Sequence, residues 1–380
     1  MYPYLRYIPR DWIQYLTLAP DGIEVSESLI LARKPSWIHP RTVKRAIAAV
    51  LRGMNPLQIT MVSSTGRCGI AEYTKSLVAT LPAWCQVQVV EPGPGPWTGD
   101  VLHIQYEPGL FPDGNELLAQ VTQFPGVKVL TAHFYDAWLK QNHRRFHRVI
   151  VHHPDLVRDT RHIYLVQGCP IFPEKEKQRL RQRRGIPERS HVIASFGFYM
   201  AWKRLAEFFE NLCPHLSMNP ELYLLWLHSI HPGAVDYGTR ALARIERLVT
   251  MYKLTNIQIH TKYLDKGTIN DYLQASDIGC LYSPLAVSTG SSAVSKEYVA
   301  GRCPLVVSDI SHYADLPRGV IRVPTETSVQ GFIYRVLSTL YDTHTRFLLQ
   351  QQQRQNYDEI NYTRVAKKHA GWYWELCYPS

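Results

Sequence analysis

The chain lacks any run of about 18 consecutive apolar residues, so no part of it reads as a membrane-spanning helix. Its first residues, Met1-Tyr2-Pro3-Tyr4-Leu5-Arg6, lack the basic head and apolar stretch of a secretion signal. Cysteine is sparse: seven residues, at 68, 85, 169, 213, 280, 303 and 377, form no CxxC pair. That pattern argues against a zinc site and a disulfide scaffold and for a reducing compartment. The expected location is the cytoplasm, with peripheral contact to the inner membrane as a further expectation. There is no GxGxxG, no Walker lysine and no Asp-x-Asp after a strand candidate, which leaves a dinucleotide fingerprint, a P-loop and a metal-held diphosphate without support.

What is present suits a folded enzyme-sized protein. The 380 residues are 45% apolar and 19% charged, enough for two α/β domains each with its own core. Lys and Arg number 42 against 32 Asp and Glu, a formal charge of +10 that favours acidic partners such as nucleotide phosphates or anionic lipid. The basic residues are spread along the chain with no zinc-finger, RNP or recognition-helix pattern, so nucleic acid is not an expected partner.

Residues 1–56 form a distinct extension in which Tyr2, Tyr4, Tyr7, Trp12, Tyr15 and Trp37 interleave with Arg6, Arg10, Arg33 and Lys34. From Arg41 the spacing of Val43, Ile47, Val50 and Leu51 predicts an amphipathic helix edged by Lys44, Arg45 and Arg52, a pattern that lies on anionic membrane or packs on a domain. From Leu57 short β-branched runs alternate with helical segments, predicting a first Rossmann-like domain over 57–185. The charged stretch Glu174 to Arg184 reads as a solvated linker helix closing it. A second series of strands, from His191 to Val323, predicts another such domain over 186–350, and 351–380 reads as a helix crossing back to the first domain. The two sets of strand ends would then face each other across a cleft.

Three segments carry the chemistry. Ser291-Ser292-Ala293-Val294-Ser295-Lys296-Glu297 reads as a Ser-capped helix start with free backbone N–H groups, preceded by Gly290 and carrying one carboxylate, Glu297. That arrangement can hold a diphosphate at one end and a ribose further on. Leu57 to Thr65 runs into Gly66-Arg67-Cys68-Gly69-Ile70-Ala71-Glu72-Tyr73, a strand-to-helix turn where Gly69 lets backbone approach a ligand. His191 to Gly197 is a strand ending at a glycine, with Lys203 placed to meet a phosphate as a point charge. His133 falls at the carboxyl end of Val127 to His133, where α/β domains carry functional side chains. His152 and His153 are adjacent on a strand end and point to opposite faces, so they do not share a metal ion.

These residues resemble the large retaining glycosyltransferase family of GT-B architecture (group 1, family 4-like), which includes many bacterial mannosyl-, glucosyl- and galactosyltransferases. The likeness spans residues 57–380 and rests on Gly66 to Tyr73, on Ser195-Phe196-Gly197 with Lys203, and on Lys296 to Pro304. It implies an α/β fold of two Rossmann-like domains with an N-terminal extension. It also implies that Lys203 contacts the donor diphosphate, Glu297 binds the nucleotide ribose and His133 lies near the transferred sugar. The chain departs from the family at Thr289, where a second glutamate is usual, and at Phe198, where a basic residue is usual; Gly290 and the short polar residues could bind donor phosphate through backbone N–H groups instead.

The expected catalytic residues are therefore His133 and Lys203, and the expected donor-binding residues Gly69, Gly197, Lys203, Gly290, Ser291, Ser292 and Glu297. No metal and no cofactor beyond the nucleotide diphosphate sugar is expected. The expected reaction is metal-independent transfer of a hexose to a saccharide or lipid-linked acceptor in polysaccharide biosynthesis. A non-catalytic sugar-binding or scaffold subunit and a nucleotide-sugar epimerase or phosphorylase on the same scaffold remain alternatives.

Overall fold

Val, Ile and Leu concentrate in runs of three to nine residues, and these become the strands of two parallel sheets. A computed structural model describes residues 16–19, 22–25, 56–66, 68–285, 291–316 and 318–378. The amphipathic stretch 41–52, Thr289 and Gly290 lie outside the described residues. The described residues of the extension form an antiparallel pair, β1 (Leu16–Ala19) with β2 (Gly22–Val25).

The first domain runs β3 (Leu57–Val62), α1 (Gly69–Thr80), β4 (Cys85–Val90), β5 (Val101–Tyr106), α2 (Gly114–Gln123), β6 (Val127–Ala132), α3 (Ala137–Asn142), β7 (Arg148–Val151) and β8 (His162–Tyr164). Its strands lie in the order β4-β3-β5-β6-β7-β8, all parallel. The second domain runs α4 (Lys177–Arg184), β9 (His191–Tyr199), α5 (Leu205–Met218), β10 (Leu222–Ile230), α6 (Val235–Tyr252), β11 (Ile257–His260), α7 (Lys266–Ala275), β12 (Ile278–Leu281), α8 (Ala293–Ala300), β13 (Leu305–Ser308), β14 (Val320–Val323) and α9 (Val329–Tyr341). Its order is β11-β10-β9-β12-β13-β14, again parallel throughout.

Helices cover both faces of each sheet, which is why consecutive strand residues are apolar. On β9, Val192 and Ala194 enter one core while Ile193 enters the other. In both domains the carboxyl ends of the strands open toward the cleft between them, the edge where ligands meet a doubly wound sheet.

Two segments differ from the sequence expectation. The charged stretch expected as a solvated linker of the first domain is instead docked on the second: Arg181 is only 4% exposed, and its guanidinium pairs with Asp277 at 2.8 Å and donates to the Ala275 carbonyl at 3.0 Å. Lys175 and Arg184 reach Asp271 from the same side. Sequence composition shows the charges of such a helix but not their partners, which lie about ninety residues further on. Likewise the C-terminal region is two helices, α10 (Thr343–Ile360) and α11 (Tyr362–Cys377). Asn361 divides them, with extended backbone and a side chain that accepts from the Arg364 N–H. α10 stays on the second domain through Ile360 and the Gln353 bond to the Gly319 carbonyl, while Val365, Ala366 and Tyr373 of α11 join the first-domain core with Leu57 and Ile59.

The chain thus crosses between domains twice, at 168–170 and at 360–362, and the two crossings are bonded side by side. Cys169 donates to the Ile360 carbonyl at 2.9 Å and accepts from Tyr362 at 3.1 Å. A Cβ on Gly168 would stand 2.8 Å from the Tyr362 ring, so only glycine lets the crossings touch.

Candidate functional site

The cleft holds about 870 Å³, counted to its open mouth, and is walled by both domains. From the first domain come Cys68, Gly69, Glu72 and Tyr73, all at the start of α1. Cys68 caps that helix, its Sγ 3.5 Å from the Ala71 N–H. Opposite stand Gly197 and Phe198 of β9, Lys262 to Leu264 after β11, Lys266 of α7, and Ala293, Val294, Lys296 and Glu297 of α8. The two helix starts face each other closely, for a Cβ on Gly69 would lie 3.8 Å from the Ala293 Cβ.

Gly197 has φ +143, a conformation side-chain-bearing residues rarely adopt, and a Cβ there would stand 3.0 Å from the Lys203 Nζ and 3.7 Å from Val294. Strand end, lysine and the start of α8 therefore converge on this glycine. Lys203 is buried against Gly197 and is not itself part of the cleft wall. No carboxylate pairs with it among the described residues, and burial pulls its ammonium down to about 8.

Helix α8 leaves part of its N-terminus open. Ser292 caps it by accepting from Ser295 at 3.3 Å, and the Ser292 N–H is committed to the His312 carbonyl at 3.1 Å. The N–H groups of Ala293 and Val294, both in the cleft wall, have no acceptor among the described residues. Ser291 is committed elsewhere: its hydroxyl lies 2.5 Å from Asp315 and 2.7 Å from Gln167, which belongs to the first crossing. Asp315 also holds Lys296 at 2.7 Å, an ion pair buried on both sides. Burial lowers the Lys296 pKa and Asp315 opposes it.

Glu297 is 8% exposed, and its Oε2 is buried with no hydrogen-bond partner among the described residues. Burial raises its carboxyl to about 7; Lys266 pulls it down and Glu72 pushes it up. Those two form the cross-cleft pair of the site, with Lys266 3.1 Å from Glu72. An unpartnered buried carboxyl oxygen in a cleft wall is unfavourable unless a ligand donates to it.

His133 sits just past β6, behind the cleft wall. Its Nε2 bonds Gln105 Oε1 at 2.9 Å and its ring meets the edge of Tyr73 at 5.0 Å, so Tyr73 separates it from the cavity. Burial holds it well below the usual histidine range, as a neutral ring. At the mouth, Phe198 stacks on Tyr263 at 6.2 Å, giving an aromatic wall where the resemblance leads one to expect a cation.

Of the expected residues, Gly69, Gly197 and Glu297 line one cleft, Lys203 and His133 stand one layer behind it, and Ser291 and Ser292 serve the helix start and the contact between domains. Gly290 lies outside the described residues. Sequence reasoning missed Glu72, Lys266, Gln167 and the Lys296–Asp315 pair; the only available signal was polar residues bordering the glycine-containing turns. Among the described residues no group of three or more His, Cys, Asp or Glu side chains could hold a metal ion, and no helix is long and apolar enough to cross a membrane.

No family model and no curated protein matches the sequence. Among solved structures, the fold is similar to a glycosyltransferase from Rickettsia africae, with TM-score 0.64 and 13% identity over 86% of this chain and 100% of that one. It is similar to Anabaena HepE, solved with UDP and glucose, with TM-score 0.61 and 12% identity over 83% of this chain and 98% of that one. A sucrose-phosphate synthase from Thermosynechococcus elongatus aligns with TM-score 0.58 and 15% identity over 84% and 99% of the respective chains. The shared feature is the fold: two Rossmann-like α/β domains facing across a cleft, the GT-B arrangement.

Proposed function

We propose that the chain is a retaining hexosyltransferase, of the group 1, family 4-like class, that moves a hexose from a nucleotide diphosphate sugar to a saccharide or lipid-linked acceptor. The observation that carries this reading is Glu297, a residue of the cleft wall whose buried Oε2 has no hydrogen-bond partner among the described residues, close to Lys203 and to the start of α8, for which no carboxylate and no N–H acceptor respectively are found among those residues. A nucleoside diphosphate supplies the complement: ribose hydroxyls donate to Glu297, and the diphosphate accepts from the Ala293 and Val294 N–H groups beside Lys203. Binding of UDP with glucose by a protein of this fold supports the same donor class.

In the reaction the acceptor oxygen forms its bond to the anomeric carbon as the bond from that carbon to the diphosphate oxygen breaks. The acceptor proton passes to the departing phosphate oxygen. Attack on the face the diphosphate leaves gives retention without a covalent carboxylate intermediate, since Glu297 is assigned to the ribose and Glu72 is held by Lys266. Lys203 and the start of α8 neutralise the leaving charge, and closure of the domains keeps water out. His133 is a positioning residue in this scheme, backing the Tyr73 ring that lines the cleft rather than touching the transferred sugar. No metal enters this scheme.

Calorimetric titration with UDP-, GDP- and ADP-hexoses, followed by product analysis with saccharide acceptors, tests the reading. No binding of any of them by folded protein overturns it. Phe198 in the aromatic wall favours a second reading, a sugar-binding subunit that has lost turnover; donor binding without any transfer or hydrolysis would select it. The proposal places the enzyme in the cytoplasm, with the basic 41–52 segment touching anionic membrane. Equal, negligible co-sedimentation with anionic vesicles of the full chain and of one starting at Asn55 would remove that contact.

A further inference from the structure

A second cavity, of about 470 Å³, opens on the same carboxyl edge of the first sheet, beyond β4 and β5. Its walls include Trp97 and Phe111, both half-buried, with Asp113, Glu116 and Gln120 from the start of α2. Although the protein carries a net +10, this lining contains two carboxylates and no basic side chain. A phosphate or uronate would be repelled there.

The aromatic wall is built rather than incidental. Tyr106 stacks on Phe111 at 5.9 Å and on Trp138 at 5.1 Å, with interplanar angles of 16° and 20°. Each inner ring is pinned: the Tyr106 hydroxyl donates to Asp136 at 3.0 Å, and the Trp138 indole N–H donates to the Gly114 carbonyl at 3.1 Å. A Cβ on Gly114 would stand 2.5 Å from that indole nitrogen, so the start of α2 is fitted to the stack. Phe111 is therefore a rigid plate at the pocket's edge. A hydrogen bond ties the loops of the two cavities together: the Thr65 N–H, in the loop leading to Cys68 and Gly69, donates at 2.7 Å to Glu91, the residue before Pro92 of the pocket wall.

We propose that this pocket binds a neutral saccharide, the acceptor-side sugar, with Trp97 and Phe111 against ring C–H faces and Glu116, held by the Gln120 amide at 3.3 Å, accepting from sugar hydroxyls. Aromatic plates supply apolar area at fixed geometry, and a few polar groups at one side set orientation. Only the word acceptor rests on the transferase reading; the binding does not.

The test titrates the full chain, without donor, with neutral gluco-, galacto- and manno-oligosaccharides and with their 6-phosphates, by calorimetry and tryptophan fluorescence. Donor titrations with nucleotide sugars run in parallel. A neutral saccharide is expected to bind, its phosphorylated counterpart to bind more weakly, and Phe111→Ala and Trp97→Ala each to weaken binding about tenfold or more. Trp97→Phe, with unchanged melting temperature, retains most of the affinity, and Glu116→Lys abolishes it while donor titrations are unchanged. No binding by any neutral saccharide, tighter binding of the phosphorylated forms, or affinity indifferent to Phe111 and Trp97 overturns the proposal. Saccharide binding without donor binding removes the transferase reading and leaves this pocket standing.

Discussion

Burial shifts the pKa of both Glu297 and Lys203, upward for the carboxyl and downward for the ammonium. With its carboxyl raised to about 7, folded Glu297 keeps its proton to higher pH than in the unfolded chain, so folding loses stability as pH rises from about 4.5 toward 7. Glu297→Gln removes the buried charge and should raise the melting temperature by roughly 2–4 °C at pH 8 and by much less at pH 5, read by calorimetry. Donor binding has the opposite sign for this group: the carboxylate accepts from ribose hydroxyls, so affinity in the native protein should improve from pH 6 to about 7 as Glu297 ionises and weaken again toward pH 8 as Lys203 loses its proton, and Glu297→Gln should keep only the second limb. Lys203→Ala should cost roughly 2 kcal/mol or more of transition-state stabilisation, read as about a thirtyfold or greater loss of kcat/KM. Gly197→Ala should destabilise by about 1–3 kcal/mol in urea melts, because its φ of +143 strains any Cβ and that Cβ meets the Lys203 amine.

At the scale of elements, the start of α8 is the joint on which the site depends. Its serine cap, the Lys296–Asp315 pair and the Ser291 contact to Gln167 fix the helix against the first crossing, so the N–H groups of Ala293 and Val294 meet the cleft at a defined place. Asp315→Ala strands Lys296 and Lys296→Met strands Asp315 in the interior, so each should cost about 3–5 kcal/mol in denaturant melts, and replacing both by apolar residues should cost less than either alone. The sequence made α8 legible, since a serine cap, an eight-residue helix and a glycine stop precede an apolar strand. Asp315 was not legible, because it lies in a turn beyond the next strand and only packing brings it back. The same holds for α4, whose basic residues look solvated until Asp271 and Asp277 close over them.

For the whole molecule, the first domain and α11 gather four neutral histidines, three buried and His133 partly buried. His103 and His369 lie with rings 5.6 Å apart, His133 and His152 likewise at 5.6 Å, and Tyr73 and Tyr373 pack among them. Burial lowers all four, His369 to about 4. The unfolded chain binds protons at these residues near pH 6.5 while the folded one does not, so their stability is fully present above that pH and falls as pH drops toward 4. Urea melts from pH 7.5 to 4.5 should show that decline. His369→Phe should make it shallower, and an unchanged slope would show that α11 is not held through these rings.

The alternation of β-branched runs with helical spacing, repeated twice, determined a pair of parallel α/β sheets, because central strands covered on both faces are mainly apolar, while the edge strand β4 still carries exposed glutamines. The glycines at strand ends and the serine before α8 marked where backbone could approach a ligand, since those needs are local and leave local traces. Tertiary structure alone decided what each polar side chain meets. It set Lys203 against Gly197, put Tyr73 in front of His133, left one oxygen of Glu297 without a partner among the described residues, and joined Glu72 to Lys266 across the cleft. Burial and pairing are made between residues far apart in the chain, and the free energy of a charge depends on that surrounding more than on its neighbours in sequence.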